Sequence, residues 1–149
     1  MKRAFEVKAA GGWREAAAID RVVLDADGRF RRRMLLTGES GTTFLLDLPR
    51  PTPLREGDGL VLEDGSIVRV DGKPERLVEI AAASGQALAR LALHLGNRHT
   101  DVQIVGDKLR IRRDHVLEAM LRGLGATLTE IEATFHPEGG AYGQHDERP

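Results

Sequence analysis

The chain has 149 residues, 41% of them apolar and 30% charged, which is enough apolar material for a folded core under an ordinary polar surface. Its 22 Lys and Arg stand against 23 Asp and Glu, a net charge of −1, which argues against nucleic acid or an anionic membrane as a partner. It has no cysteine, which excludes disulfides, thiolate catalysis and zinc–thiolate sites but leaves imidazole and carboxylate ligation open.

The N-terminus (Met1-Lys2-Arg3-Ala4-Phe5-Glu6) lacks the apolar core of a secretion signal. No apolar run approaches the ~20 residues of a membrane span, so a cytoplasmic protein is expected. Short strands follow. Ile19–Leu24 is β-branched and apolar and runs into the turn cluster Asp25-Ala26-Asp27-Gly28. Phe30–Leu36 is the next strand, and Thr42–Leu48 another beyond Gly38-Glu39-Ser40-Gly41. Pro49, Pro51 and Pro53 lack the backbone donor of a central strand, so that stretch reads as loop. Leu60–Glu63 and Ser66–Val70 flank Asp64-Gly65, a hairpin signal. Residues 1–73 thus form an all-β domain, with the joint at Asp71-Gly72-Lys73-Pro74.

Residues 74–149 follow a different pattern. A strand centred on Leu77-Val78-Glu79-Ile80 leads to Ser84, a helix cap, and then to Leu88, Leu91, Ala92 and Leu95, one apolar helix face. Gly96-Asn97 is the expected helix end, since both residues tolerate the left-handed conformation. Val102–Val105 and Lys108–Arg112 flank a Gly106-Asp107 turn. Asp114 caps a second helix with its stripe at Leu117, Met120, Leu121 and Leu124, stopped by Gly125, and Thr127–Phe135 is the closing strand. The order β-α-β-β-α-β is that of a ferredoxin-like domain, and the fold class is α+β. From about residue 137 the tail is Gly-rich and polar, the composition of a flexible end.

All five histidines lie in the second domain: His94, His99, His115, His136 and His145. His94 and His99 are five apart, not the i, i+4 spacing that places two ligands on one helix face. His94 falls in a helix's last turn, where a ring interacts with the terminal carbonyls. His99 lies on the loop beyond, where a histidine is most often simply solvated. His115 opens the second helix, where the helix dipole disfavours the imidazolium and keeps the ring neutral, though an exposed first-turn residue is the plainer reading. Other signals fail. Asp25–Gly28 is followed at the twelfth position by Leu36 instead of a bidentate acid. Arg31-Arg32-Arg33 alternates across a strand and makes no single patch. Aromatics are 4% of the chain, too few for a base-stacking surface.

Taken together, His94-Leu95-Gly96-Asn97-Arg98-His99, Val102-Gln103-Ile104, Arg113-Asp114-His115-Val116-Leu117, Met120-Leu121 and Pro137-Glu138-Gly139-Gly140-Ala141-Tyr142 closely resemble the urease accessory protein E family, the nickel metallochaperones of urease maturation. The resemblance extends through Leu48-Pro49-Arg50, Leu54-Arg55-Glu56-Gly57-Asp58 and Glu63-Asp64-Gly65, and so covers most of the chain. It implies a non-enzymatic homodimer with an N-terminal domain like a chaperone peptide-binding domain. It implies that His99, one from each subunit, holds Ni2+ across the dimer interface, and that delivery to apo-urease runs through the urease accessory GTPase and the urease activation complex. His115 matches a peripheral histidine of the family, but Arg113 stands where many members have a second one. His145 is the tail's single histidine beyond the Gly-Gly-Ala-Tyr motif, one auxiliary ligand in place of a storage cluster. Imidazole also suits Cu2+ and Zn2+, so these ions compete. Ligation needs the neutral ring, so binding fades below about pH 6.5. Two other readings compete: a phosphoryl-binding enzyme of acylphosphatase type, using Asn97 and Arg98, and a structural adaptor without metal.

Overall fold

The structure, a computed structural model, describes residues 1–139. Two compact units divide the chain, the first Met1–Lys73 and the second Pro74–Glu138. No helix among the described residues is long and apolar enough to cross a membrane.

The first unit is one curled six-stranded sheet. Its strands are β1 (Arg3–Lys8), β2 (Ala18–Leu24), β3 (Phe30–Thr37), β4 (Thr43–Pro53), β5 (Gly59–Leu62) and β6 (Ile67–Gly72), with a single 3-10 turn at Glu15–Ala17. The order across the sheet is β2-β6-β5-β1-β4-β3, with β1/β4 and β2/β6 parallel and the other neighbours antiparallel. Alternation builds the core: Phe44, Leu46 and Leu48 from β4 and Val68 and Val70 from β6 all point inward. The turn after β3 is fastened to β2. Asp20 Oδ1 accepts from Ser40 N at 2.9 Å, Asp20 Oδ2 accepts from Thr42 N at 3.0 Å, and Glu39 N donates to Arg21 O at 2.8 Å. Gly38 is required there, because a Cβ would collide with the Asp20 carboxylate.

Two features of this unit depart from the sequence reading. Arg3–Lys8 is a strand although its pattern predicts none: only Ala4 is buried, so no alternation shows. The proline segment expected as loop is part of β4, which runs to Pro53. Between the pairs Arg33↔Asp47 and Arg31↔Thr52, β4 carries five steps against two on β3, so Pro49 and Pro51 fall in a bulge. Beyond it Leu54 N donates to Arg29 O, so the nitrogen of Pro53 points away from β3 and no ladder donor is missing.

The second unit contains β7 (Pro74–Ala81), α1 (Gly85–Asn97), β8 (Gln103–Val105), β9 (Lys108–Arg112), α2 (His115–Gly123) and β10 (Thr127–Thr134). The sheet order β10-β7-β9-β8, antiparallel throughout, is the split arrangement expected for β-α-β-β-α-β. Leu91 and Leu95 of α1 and Leu117 and Leu121 of α2 pack with Val78, Ile80, Leu109 and Ile111. The strand residues between these carry charge to the opposite face, where Glu79 pairs with Arg110 at 3.0 Å. The chain leaving β10 at one edge crosses this face. Phe135 lies under the Arg112 guanidinium, 4.9 Å from its ring centroid, and Glu138 N donates to Val102 O, next to β8, at 2.7 Å.

Leu124 does not join the α2 stripe. The helix ends at Gly123, and Leu124 is 44% exposed as the capping residue, with Gly125 in the left-handed region at φ +91°.

Candidate metal site

Ser84 starts α1, its Oγ accepting from Ala87 N at 3.1 Å. The buried Leu91 and Leu95 fix which way the helix faces. Its end differs from the expectation. Gly96 and Asn97 stay helical, Arg98 N donates to Leu95 O and His99 N to Gly96 O, both at 3.1 Å, and the left-handed residue is His99 itself, at φ +56°. His99 is the one non-glycine residue among those described with positive φ. The conformation costs roughly 1–2 kcal/mol for a residue with a Cβ, which is why glycine usually occupies this helix-ending position. It swings the side chain off the helix, and His99 is exposed. His94 sits half-buried in the last turn of α1, as its spacing predicts.

His115 is exposed in the first turn of α2, behind the Asp114 cap, whose Oδ1 accepts from Leu117 N at 3.0 Å. The neighbourhood belongs to an ion-pair network. Glu118 is buried, and its Oε2 accepts from Arg113 Nε at 3.0 Å and from Asp114 N at 2.8 Å. Arg113 also reaches Glu130. The hydrogen bond from Arg113 overcomes burial and holds the Glu118 carboxyl below its ordinary range. A fixed guanidinium therefore occupies the place two residues before His115, and it can ligate no cation.

His99 and His115 lie at the same end of the sheet, where Asp101 of the His99 loop pairs with Arg112 at 3.0 Å. They do not build a cage: no group of three or more His, Asp and Glu side chains able to hold a metal occurs among the described residues. The tail candidate His145 lies outside the described residues, while the backbone N of His136 donates to Gln103 Oε1 at 3.2 Å. Arg112, Asp101 and Glu118 have no signal in the sequence as site residues. Only the Asp114 cap and an acid four residues on mark the start of α2.

Residues 3–71 match the family model described as UreE urease accessory protein, N-terminal domain, and residues 75–148 match that of the C-terminal domain. The chain belongs to the UreE urease accessory protein family. Among relatives named urease accessory protein UreE, that of Bradyrhizobium sp. strain ORS 278 is 56% identical over 144 residues, covering 97% of this chain and 68% of the relative. That of Rhodobacter capsulatus is 47% identical over 154 residues, covering 100% of this chain and 95% of the relative. That of Beijerinckia indica is 51% identical, with 95% and 82% covered. His99, exposed and left-handed at the end of α1, lies within the residues that match the C-terminal family model.

Proposed function

We propose that this chain is a non-enzymatic carrier that binds Ni2+ and delivers it to apo-urease during maturation of the urease active site. The observation that carries the reading is His99: a histidine held in a left-handed conformation, exposed at a helix end, with no companion cluster of ligands in its own chain among the described residues. A lone imidazole is a weak site, and a second copy of the chain completes it most simply, with two His99 rings meeting across a homodimer. Such a site leaves coordination positions open for water or an acceptor's ligand, which suits release. Cu2+ and Zn2+ compete for the same nitrogen donors.

The tail supplies an auxiliary ligand in this reading. Glu138 is tied to Val102, three residues from His99, and the seven residues from there to His145 reach up to about 25 Å. His115 is a weaker auxiliary, since Arg113, held by Glu118, occupies the position two residues before it and supplies no second ligand. The first unit, free of histidine, serves as the surface for partners, the urease accessory GTPase and the activation complex, in the cytoplasm.

The acylphosphatase alternative fits poorly. Asn97 and Arg98 stand at the C-terminal end of α1, where the dipole repels anions, and Ser84 at the other end, about 20 Å away, is occupied as a helix cap. Calorimetry with Ni2+ and sedimentation of the full chain test the proposal. One tight ion per dimer, lost in His99→Ala, is expected; unchanged tight binding by that variant overturns it.

A further inference from the structure

Between His99 and the first residue of β8, Gln103, the chain belongs to neither helix nor sheet. Two fastenings hold it. Val102 O accepts from Glu138 N at 2.7 Å, and Asp101 Oδ2 accepts from Arg112 NH1 at 3.0 Å. Arg112 is a hub. Its Nε donates to Glu75 Oε1 at 3.0 Å, so its plane is set from both ends, and the ring of Phe135 lies 4.9 Å from the guanidinium carbon. Glu75 is on β7 and Arg112 on β9, adjacent strands at the centre of the sheet. The Asp101 carboxylate, two residues from His99, is thereby tied to the two central strands of the sheet.

We propose that Arg112 and Asp101 are positioning residues for the metal ligand: they hold the loop so that His99 keeps its left-handed backbone and presents its imidazole in one direction. The inference rests on the reading of His99 as ligand. A two-imidazole site tolerates only about half an ångström of misplacement, because each ring supplies half of the protein's donors. The His99 conformation is also strained, so a loose loop relaxes away from it. If the competent geometry falls from nearly full occupancy to about a tenth, the apparent affinity falls about tenfold with no ligand removed. An arginine suits the role because its planar fork engages two carboxylates at once, which a lysine's point charge does not hold in a fixed plane.

The pair itself is partly exposed, 34% for Arg112 and 36% for Asp101, so it is expected to matter little to global stability. That separates positioning from scaffolding. The experiment is a double-mutant cycle on the full-length chain with Asp101→Asn, Arg112→Met and both together, read by Ni2+ calorimetry and by the metal-free thermal midpoint. Each single variant is expected to weaken Ni2+ binding about 5–10-fold at unchanged stoichiometry, and the double variant no more than the worse single. Asp101→Glu, which keeps the carboxylate, is expected to stay within about twofold of the parent. Asp101→Asn is expected to leave the midpoint within about a degree.

Unchanged affinity in both singles overturns the proposal, as do losses that simply add, or losses matched by an equal fall in the midpoint of Asp101→Asn. His99→Ala, run alongside, keeps the two readings apart: if it binds Ni2+ like the parent, the ligand reading itself fails.

Discussion

Arg113 donates from Nε to Glu118 Oε2 at 3.0 Å, across the first turn of α2. The same carboxylate accepts from Asp114 N, so one buried acid caps the helix and neutralises the cation two residues before His115. Where the family resemblance implies a second histidine in many members, this structure holds a partly buried ion pair.

The first prediction follows. Arg113→Met leaves Glu118 buried with a single backbone donor and the distant Arg122, at 3.9 Å. A measurable loss of stability is expected, smaller than for a fully buried pair because Arg113 is 27% exposed. Glu118→Gln is milder because it keeps an acceptor. Urea unfolding of both variants and the parent measures this, and variants as stable as the parent would mean that the pair contributes little.

The φ of +56° at His99 sets site against stability. His99→Gly removes the Cβ penalty and is expected to stabilise the metal-free chain by about 0.5–1 kcal/mol while abolishing Ni2+ binding. His99→Ala is expected to lose binding without the gain, because alanine keeps the Cβ. Thermal midpoints of the two variants side by side decide it.

Acid sensitivity is expected to centre on Asp20. Burial alone would raise its pKa, but the backbone donors Ser40, Arg21 and Thr42 lower it from 3.8 to about 2. A depressed pKa means that the charged form is favoured in the fold. The stabilisation is therefore complete above about pH 4 and is lost as pH falls toward 2, about 2 kcal/mol in all. Stability curves of Asp20→Asn and the parent are expected to converge across that window. A constant gap would assign the acid response elsewhere.

Removal of the residues after Tyr142, or His145→Ala, is expected to weaken Ni2+ binding several-fold and leave the ion-per-dimer ratio unchanged, because a tail ligand adds to a site it does not create. Calorimetry on the truncated chain checks this. A greater loss than in His99→Ala would reverse the roles of the two histidines.

Most strands, both helices and the element order of the second unit were legible in the sequence because they rest on local signals. Alternation marks β9, the leucine spacing marks α1 and α2, and Ser84 and Asp114 are side chains that cap their own helices. The motif also singled out His99 as a candidate ligand. Three things depended on contacts between distant residues. The proline strand needed a bulge against β3, which no window along β4 reveals. Residues 3–8 became a strand only because β4 and β5 lie on either side of them. The setting of His99 and His115 came from Arg112 and Glu118, whose partners are 11 and 5 residues away across turns. Composition established that no metal here is held by thiolate, since the chain has no cysteine. Only the tertiary structure decided how the histidines are presented: one strained and exposed at a helix end, another beside a fixed cation. Backbone conformation and ion pairing across strands are properties of packed neighbours, which local sequence does not encode.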